Sequence, residues 1–292
     1  MPPELPPPIR HRLDRTLDQW RQWRCRPALR RRPEVLGRLD SGLSNYSVLV
    51  QAGARLVVRI DGPRVIDNGL NRQAEWRALQ DAHAAGLAPA PRYFNPELGA
   101  LVCDYLPPDP PREQSLQEIA ALLRAIHALP PRHQRLDLRA RLQRYESQLA
   151  QCAPRRARQL APRGARIRDL LGELDTAAAA LVPCHNDLLA ANRLYSGARL
   201  YALDWEYSAM AEPLYDLAVT AHGDDLDAAG SLALLRAYLG RRETTQERAR
   251  LQRCGCVYRF LEILWYAAAG ASEAQLTPRL ARLDALLQAG PG

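Results

Sequence analysis

The sequence predicts an α+β fold in which a small, β-rich lobe precedes a larger, mainly helical lobe. Residues 35–106 contain short apolar runs separated by turn residues, which is typical of strands. Beyond residue 111, apolar residues recur at helical spacing instead. Between the two, the run Pro107-Pro-Asp-Pro-Pro111 indicates a hinge. We therefore predict a helical extension at 1–34, the small lobe at 35–106 and the large lobe at 107–292.

The extension is predicted as one amphipathic helix, Ile9–Arg26, because its apolar residues recur every three or four positions up to Pro27. The small lobe alternates short strands with turns. Its predicted strands are Val35–Leu39, Tyr46–Gln51, Arg55–Ile60, Arg92–Phe94 and Ala100–Tyr105. One helix, Asn71–Ala85, follows the third strand and ends at Gly86.

Seven helices are predicted in the large lobe from the spacing of their apolar residues. In the first of them, Ser115 followed by Glu118 predicts a capping box. The helices are Ser115–Ala128, Leu136–Cys152, Ala165–Ala180, Leu214–Ala221, Ala228–Leu239, Gln246–Ala269 and Pro278–Gln288. Leu181–Leu203 departs from this pattern, because β-like pieces there surround a polar motif. A small lobe, a hinge and a larger lobe predict a cleft, which is a usual place for a ligand.

Length and composition are those of an ordinary globular protein, with 292 residues of which 47% are hydrophobic and 25% charged. No apolar run reaches the roughly 18 residues that cross a bilayer, and the N-terminus lacks an apolar signal-peptide core. We expect a cytoplasmic protein without a membrane partner. The six cysteines lack the paired spacing of a zinc site, so we expect reduced thiols.

The formal net charge of +8 raises the possibility of a nucleic-acid partner. All forty basic residues are arginines, however, which is more typical of a genome-wide codon bias than of a local demand for guanidinium. The excess also lies away from residues 200–235, which carry acids and no arginine. These acids are Asp204, Glu206, Glu212, Asp216, Asp224, Asp225 and Asp227. We therefore expect no nucleic-acid partner, although a basic nucleic-acid binder remains an alternative class.

The most informative motif begins at His185-Asn-Asp187 and continues to Asn192 and Asp204. An aspartate, an asparagine five positions on and a second aspartate at a strand end suit phosphoryl transfer to a hydroxyl. Asp187 would accept or orient the hydroxyl proton, and oxygens of Asn192 and Asp204 would ligate Mg²⁺. The alternatives are a loop or capping role for Asp187 and an ordinary strand-end turn at Asp204.

The order of these features resembles the protein-kinase-like small-molecule kinases, which include choline/ethanolamine kinases, thiamine kinase and aminoglycoside phosphotransferases. The resemblance covers residues 35–290. It rests on Ser41–Asn45, Leu56–Ile60, Asn71–Glu75, Leu101–Tyr105, His185–Asn192, Asp204–Tyr207 and Pro213–Asp216. Asp204-Trp-Glu-Tyr207 is most similar to the bacterial choline-kinase and thiamine-kinase branch. The resemblance implies a two-lobed protein-kinase-like fold and transfer of phosphate from ATP, with Mg²⁺, to an alcohol group.

In the small lobe, the resemblance implies that Arg59 replaces the usual lysine on the nucleotide phosphates and that Glu75 is its partner. Backbone groups of residues 103–106, including Cys103 and Tyr105, would contact the adenine ring. A turn over the phosphates would comprise Ser41, Gly42, Ser44 and Asn45. The alternatives are a solvent-facing Arg59 and an ordinary hairpin turn.

In the large lobe, the resemblance implies structural roles for His185 within the catalytic loop and for Asp216, which would steady the loop backbone. Glu206, Tyr207 and Trp265 are the predicted acceptor contacts, because carboxylates and aromatic faces suit a cation. Each aromatic could instead belong to the core. The predicted acceptor is choline or ethanolamine, then thiamine, then an aminoglycoside or sugar. A catalytically silent kinase-fold module that binds nucleotide is the non-enzyme alternative.

Overall fold

The computed structural model describes residues 5–39, 45–63, 69–175 and 180–289. The chain divides into two compact units. The first comprises Met1–Arg64, Asn71–Pro110 and Tyr195–Tyr201, and the second comprises Val65–Leu70, Pro111–Leu194 and Ala202–Gly292. A strand-rich first unit and a mainly helical second unit confirm the predicted α+β class.

The first unit is built on a five-stranded antiparallel sheet in the order β1-β2-β3-β5-β4. Its strands are β1 (Glu34–Leu39), β2 (Asn45–Ala52), β3 (Ala54–Asp61), β4 (Pro91–Asn95) and β5 (Ala100–Asp104). Side chains alternate between the two faces of a strand. In β3, Leu56, Val58 and Ile60 therefore share one face, which is buried in an apolar core, while Arg59 lies on the other face.

The N-terminal extension covers the apolar face of this sheet. Helix α1 (Pro7–Asp18) buries Ile9, Leu13 and Leu17 in the same core as β3. The predicted helix Ile9–Arg26 is too long, since α1 ends at Asp18 and a 3-10 turn, Trp20–Gln22, follows. The bend brings Trp23 into the core against Tyr93, with 6.1 Å between ring centroids. The helix therefore ends at Asp18 because burial of Trp23 requires the chain to bend there.

Helix α2 (Arg72–Ala84) connects β3 to β4 and carries Glu75 in its first turn. Its start is fixed by Asn71, whose side chain accepts a hydrogen bond of 3.0 Å from the Ala74 N–H. Glu75 is buried in the structure, which for a carboxylate requires charged or polar partners.

The second unit contains seven α-helices among its described residues. They are α3 (Leu116–His127), α4 (Leu138–Cys152), α5 (Pro154–Asp175), α6 (Pro213–Gly223), α7 (Ala228–Leu239), α8 (Thr245–Ala268) and α9 (Glu273–Gln288). The capping box of α3 is present, with Ser115 and Glu118 bonded reciprocally. None of the helices in the described part of the chain is long and apolar enough to cross a membrane.

Two short pairs of strands surround the polar motif. β6 (Val182–Cys184) pairs antiparallel with β9 (Ala209–Ala211), and β7 (Arg193–Ser196) neighbours β8 (Arg199–Ala202). The predicted β-like character of this region is therefore confirmed. The strands hold the ends of the loop that contains Asp187 and Asn192.

Two helices begin earlier than their sequences predict. Helix α5 starts at Pro154 rather than Ala165, and α9 starts at Glu273 rather than Pro278. The arginine-rich start of α5 is held by α9, because Arg163 makes two hydrogen bonds of 2.6–2.8 Å with Asp284. In α9, Ser272 and Gln275 form a capping box upstream of the proline. The spacing of apolar residues along each helix does not predict such contacts between helices, and the early starts were therefore not predicted.

We expect Gly255→Ala to destabilise the fold, because a Cβ atom at this position of α8 would overlap the buried imidazole of His222 on α6. The expected loss is about 1–3 kcal/mol, against a helix-propensity gain of up to about 1 kcal/mol. Gly172→Ala in α5 is the matched control, since its Cβ would meet only the end of Arg139 at 3.7 Å. Urea unfolding of both variants measures the difference, and equal stability would contradict the close α6–α8 packing.

Candidate active site

Asp187 and Asn192 lie in the loop between β6 and β7 and are bonded to each other. The Asn192 amide nitrogen donates hydrogen bonds of 2.8 Å both to Oδ2 and to the backbone carbonyl of Asp187. The loop backbone adds bonds from the Leu189 N–H to the Asp187 carbonyl and from the Asn192 N–H to the Leu189 carbonyl. Since the Asn192 nitrogen is occupied by Asp187, its amide oxygen is the atom suited to a metal.

Asp204 follows β8 with a left-handed backbone (φ 58°), which is rare for a residue with a side chain. The next residue anchors this turn, because the Trp205 indole is buried and donates a 3.0 Å hydrogen bond to the Ala202 carbonyl. Trp205 also packs on the His185 ring at a centroid distance of 4.8 Å. The strained turn is thus held by the core beneath it.

The charges around Asp187 show what the loop can bind. Burial and the carboxylates of Asp204 and Glu206 raise the pKa of Asp187 well above its usual value, although Asn192 and Arg141 act in the opposite direction. Three carboxylates and the Asn192 oxygen therefore concentrate hard oxygen donors and negative charge. This donor set fits Mg²⁺, which prefers oxygen ligands.

Asp216, at the start of α6, fixes the loop backbone from beneath. Its fully buried carboxylate accepts hydrogen bonds from the His185 N–H at 2.9 Å and the Asn186 N–H at 2.7 Å. The His127 Nε2 donates a third, at 3.1 Å. Burial would raise the pKa of Asp216, but His127 and the other donors keep it below the usual value.

His185 lies within this network as a neutral group. Its Nε2 donates a 2.9 Å hydrogen bond to the Leu203 carbonyl, and burial lowers its pKa to about 4. The imidazole therefore ties the loop to the residue just before Asp204. It contributes position and no charge at neutral pH.

His127, Cys184 and Asp216 form a cluster whose ligand atoms lie within 4.8 Å of one another. Their polar atoms are engaged in structural bonds. His127 bonds both Asp216 and the Tyr238 hydroxyl, and the Cys184 thiol points to the Ala211 carbonyl at 3.6 Å. We therefore interpret the cluster as loop support.

Sequence reasoning missed a second support of the loop, the ion pair of Arg193 with Asp224. The two side chains are joined at 2.5 Å, and Arg193 also donates to the Leu188 carbonyl at 2.7 Å. Asp224 accepts a 2.8 Å hydrogen bond from the Ala190 N–H. The pair therefore holds both Leu188 and Ala190. The only sequence signal was a basic residue directly after Asn192.

Tyrosines surround the carboxylates of the loop. The electrostatic interactions of Tyr145, Tyr207 and Tyr258 with Asp187 contribute to raising the pKa of each phenol, although burial is the largest cause. Arg141 lies over the Tyr207 ring at 5.3 Å. Trp265 is on the same helix as Tyr258, two turns further on, and its ring packs edge-on against Tyr266 at 5.1 Å. Tyr258 rather than Trp265 is thus the α8 aromatic with an identified interaction with Asp187.

In the first unit, Arg59 and Glu75 are in contact, with 2.6 Å between Nη1 and Oε1. Arg72, which sequence reasoning missed, donates a 2.9 Å hydrogen bond to the other Glu75 oxygen. Its guanidinium also contacts the Asp61 carboxylate at two points, at 2.7 and 2.9 Å. Burial would raise the pKa of Glu75, but Arg59 and Arg72 lower it. Two guanidinium groups and two carboxylates therefore form one nearly buried network, which we call the Arg59 network (Arg59, Asp61, Arg72 and Glu75).

The remaining predicted nucleotide contacts lie around this network or outside the described residues. Ser41, Gly42 and Ser44 fall outside them, and Asn45 is the first residue of β2, paired with Asp61. The Cys103 thiol lies near Arg59 and Glu75, and burial raises its pKa to about 12. The Tyr105 N–H bonds to the Arg55 carbonyl at 3.2 Å. The Tyr105 N–H is therefore engaged within the first unit.

Comparison with known proteins defines the class. Residues 35–252 match the phosphotransferase enzyme family, and the chain belongs to that family. This confirms the resemblance found in the sequence and classes the chain as a phosphotransferase.

Particular relatives are more specific. Protein LicA of Haemophilus influenzae is 41% identical over 58 residues, which are 20% of this chain and 22% of that protein. The chain thus matches about a fifth of the length of this curated relative.

Solved structures match over nearly the whole chain. A choline/ethanolamine kinase family protein from Mesorhizobium loti is 25% identical with a TM-score of 0.70, covering 94% of this chain and 95% of that one. LicA in complex with AMP is 20% identical with a TM-score of 0.71, covering 96% and 98%. These likenesses confirm the predicted protein-kinase-like fold.

We expect Asp216→Asn to lower the free energy of unfolding by about 1–3 kcal/mol, because one buried N–H loses its acceptor oxygen. The difference from wild type should be constant above about pH 4, the usual range of an unfolded aspartate. It should disappear as the pH falls through the lowered pKa of Asp216, since the wild-type carboxylate is then protonated. Urea unfolding at several pH values measures this, with Asp169→Asn on the exposed face of α5 as control. A difference that grows on acidification would contradict the role of the charge.

We expect Arg72→Ala to destabilise the first unit by about 3–5 kcal/mol, because Asp61 loses its closest cation and buried Glu75 one of two. Arg72→Lys should recover only part of this, since an ammonium cannot reproduce the guanidinium fork. Arg77→Ala, an exposed position on the same helix, should change stability by less than about 0.5 kcal/mol. Thermal unfolding of the three variants is the measurement. Equal effects of Arg72→Ala and Arg77→Ala would show that the network is dispensable.

Proposed function

We propose that this chain is an ATP- and Mg²⁺-dependent kinase that phosphorylates the hydroxyl group of a small cationic metabolite, with choline or ethanolamine as the first candidate. The observation that carries the proposal is that the Asn192 amide donates two hydrogen bonds to Asp187. The carboxylates of Asp204 and Glu206 also act on Asp187 and raise its pKa. Phosphoryl transfer depends on positioning and electrostatics more than on strong base chemistry. A carboxylate fixed by its own loop meets that requirement.

Asp187 is the proposed catalytic residue. Its carboxylate would accept a hydrogen bond from the acceptor hydroxyl and take the proton as the oxygen attacks the phosphoryl group. Asn192 keeps one Asp187 oxygen engaged at 2.8 Å, which leaves the other oriented for the hydroxyl. His185, Asp216, Arg193 and Asp224 act through the loop backbone as positioning residues.

The Asn192 amide oxygen and the Asp204 carboxylate would hold Mg²⁺. When bound, the ion would neutralise phosphate charge. The left-handed turn at Asp204 and the buried Trp205 beneath it keep that carboxylate in place.

Arg59 would bind the phosphates of the nucleotide, and Glu75 with Arg72 would hold the guanidinium in position. Arginine offers phosphate a planar fork of donors. The AMP complex of LicA, a protein of the same fold, supports a nucleotide as the donor. Ser41, Gly42, Ser44, Asn45, Cys103 and Tyr105 remain proposed contacts of the nucleotide.

The acceptor is proposed from the chemistry around Asp187. Carboxylates and aromatic faces together suit a quaternary ammonium or primary ammonium group. Glu206 and Tyr207 are the proposed contacts, Tyr258 joins them through its interaction with Asp187, and Trp265 is a further candidate. The likeness to a choline/ethanolamine kinase family protein supports this acceptor class. Thiamine, also a cation, is the second candidate, and an aminoglycoside or sugar the third.

The test is an ATP-consumption assay over choline, ethanolamine, thiamine, amino sugars and aminoglycosides, with and without Mg²⁺. We expect turnover with a small cationic alcohol that stops when the metal is chelated. Asp187→Asn should lower kcat by roughly 10²–10⁴-fold while both ligands still bind in calorimetry, and Asp169→Asn on α5 should match wild type. Undiminished turnover in Asp187→Asn would refute the catalytic assignment. Activity only with neutral sugars would refute the acceptor class alone.

A further inference from the structure

A groove on the first unit shares Asp104 and Tyr105 with the segment proposed to contact the nucleotide, and its other lining residues lie outside the candidate site. It has a volume of about 930 Å³, which is within the range of small-molecule sites. Its walls come from the end of the N-terminal extension (residues 25–31), the β2–β3 turn (residues 52–56) and the segment after β5 (residues 104–107). We call it the extension groove.

The extension groove is lined at Leu56 and Asp104, which are paired across β3 and β5, and Arg55 lines it at the β2–β3 turn. Leu56 lines it and shares a face of β3 with Val58 and Ile60, which pack against α1. Arg59 lies on the alternate face of the same strand and contacts Glu75. A ligand in the groove would therefore occupy a site separate from the Arg59 network.

The charge of the groove is strongly one-sided. Five arginines line it against a single carboxylate, Asp104. They are Arg26, Arg30, Arg31, Arg55 and Arg92. Arg92 binds Asp104 through two hydrogen bonds of 2.5–2.6 Å, so the one carboxylate is already paired. Codon bias explains arginine in place of lysine, but it does not explain why five converge on one concave surface.

Most of these arginines have no internal counter-ion. Arg31 pairs with Glu34 at 3.1 Å at an exposed position. Arg26, Arg30 and Arg55 have no side-chain hydrogen bond or ion pair with any of the residues that the structure describes. Like charges that line one cavity repel one another, and a bound anion would offset that repulsion. Their planar forks suit phosphate oxygens.

The walls of the groove are fixed in advance of any ligand. The extension is tied to β4 through Arg92, whose backbone carbonyl accepts a 2.7 Å bond from the Arg24 N–H and whose Nη1 donates at 3.2 Å to the Arg24 carbonyl. The segment after β5 is tied to β3, because the Tyr105 N–H bonds to the Arg55 carbonyl. The floor is apolar where Leu29, Ala52 and Leu56 line it.

We propose that the extension groove binds a small molecule that carries a phosphate group next to an apolar moiety. The arginines of the rim would hold the phosphate, and the apolar floor would receive the remainder of the molecule. The volume matches a small molecule rather than an extended chain. The proposal does not rest on the kinase assignment, because the arginines that carry it are not residues of the candidate active site; the two sites share only the segment that contains Asp104 and Tyr105.

The test is a calorimetric titration of the full chain with phenyl phosphate and with inorganic phosphate. We expect phenyl phosphate to bind more tightly than inorganic phosphate, because its ring contacts the floor. Arg26→Ser with Arg55→Ser should weaken binding by about tenfold or more, since a hydrogen bond to a charged group contributes about 1.5–3 kcal/mol. Arg10→Ser with Arg15→Ser, exposed arginines of α1 without described partners, is the matched control and should bind as wild type does.

Arg59→Gln separates this groove from the candidate active site, and it should leave phenyl phosphate binding unchanged. Glu75 keeps Arg72 as a partner in that variant, and thermal unfolding establishes that the variant is folded before the titration. Cys25 lines the groove, and phenyl phosphate should slow its alkylation by a maleimide, as read by peptide mapping. The proposal is overturned if phenyl phosphate does not bind, if Arg59→Gln alone abolishes binding, or if the α1 control loses as much as the groove variant. Tighter binding of a polyglutamate peptide than of phenyl phosphate would overturn the small-molecule assignment.

Discussion

Asp216 carries a charge where no water can solvate it, so the chain itself must supply the donors. Two of them are the backbone N–H groups of His185 and Asn186, and the third is the His127 imidazole. A buried carboxylate without such partners would cost several kcal/mol. The position of the Asp216 carboxylate therefore fixes the position of the two N–H groups that bond to it. Asp187 directly follows Asn186 in the chain. Its position is therefore determined by a residue on α6.

The same loop is held a second time, by a different kind of interaction. Arg193 and Asp224 form a nearly buried ion pair that also bonds Leu188 and Ala190. Asp216 thus fixes the backbone just before Asp187, and this pair fixes the backbone just after it. These cross-links add to the hydrogen bonds that the loop makes within itself between Asp187 and Asn192. A catalytic carboxylate that must be positioned closely benefits from support on both sides.

The sequence predicted the elements and residues whose signals are local. The spacing of Asp187, Asn192 and Asp204 lies within one stretch of chain, and the Ser115 capping box lies within four residues. Asp224 gave no such signal, because its partner Arg193 is 31 residues away, and Arg72 gave none because one charge among many carries no pattern. The early start of α5 was missed for the same reason, since Arg163 is paired with Asp284 on a helix over a hundred residues later. Local order was predicted from the residues themselves, whereas the Arg59–Glu75 pair was predicted only through the family resemblance.

The ion pairs of the structure also change the interpretation of the acidic stretch at 200–235 as a binding site for a cation. Four of its acids already have partners within the chain. Glu212 binds Arg250, Asp216 binds His127, Asp224 binds Arg193, and Asp225 binds Arg259 and Arg282. For the proposed acceptor, the carboxylates that matter most are those whose charges act on Asp187, namely Asp204 and Glu206. A net charge of +8 does not oppose this, because charges beyond about 8–10 Å are largely screened at physiological salt. The few carboxylates nearest the acceptor, and not the total charge of the chain, would decide whether a cation binds.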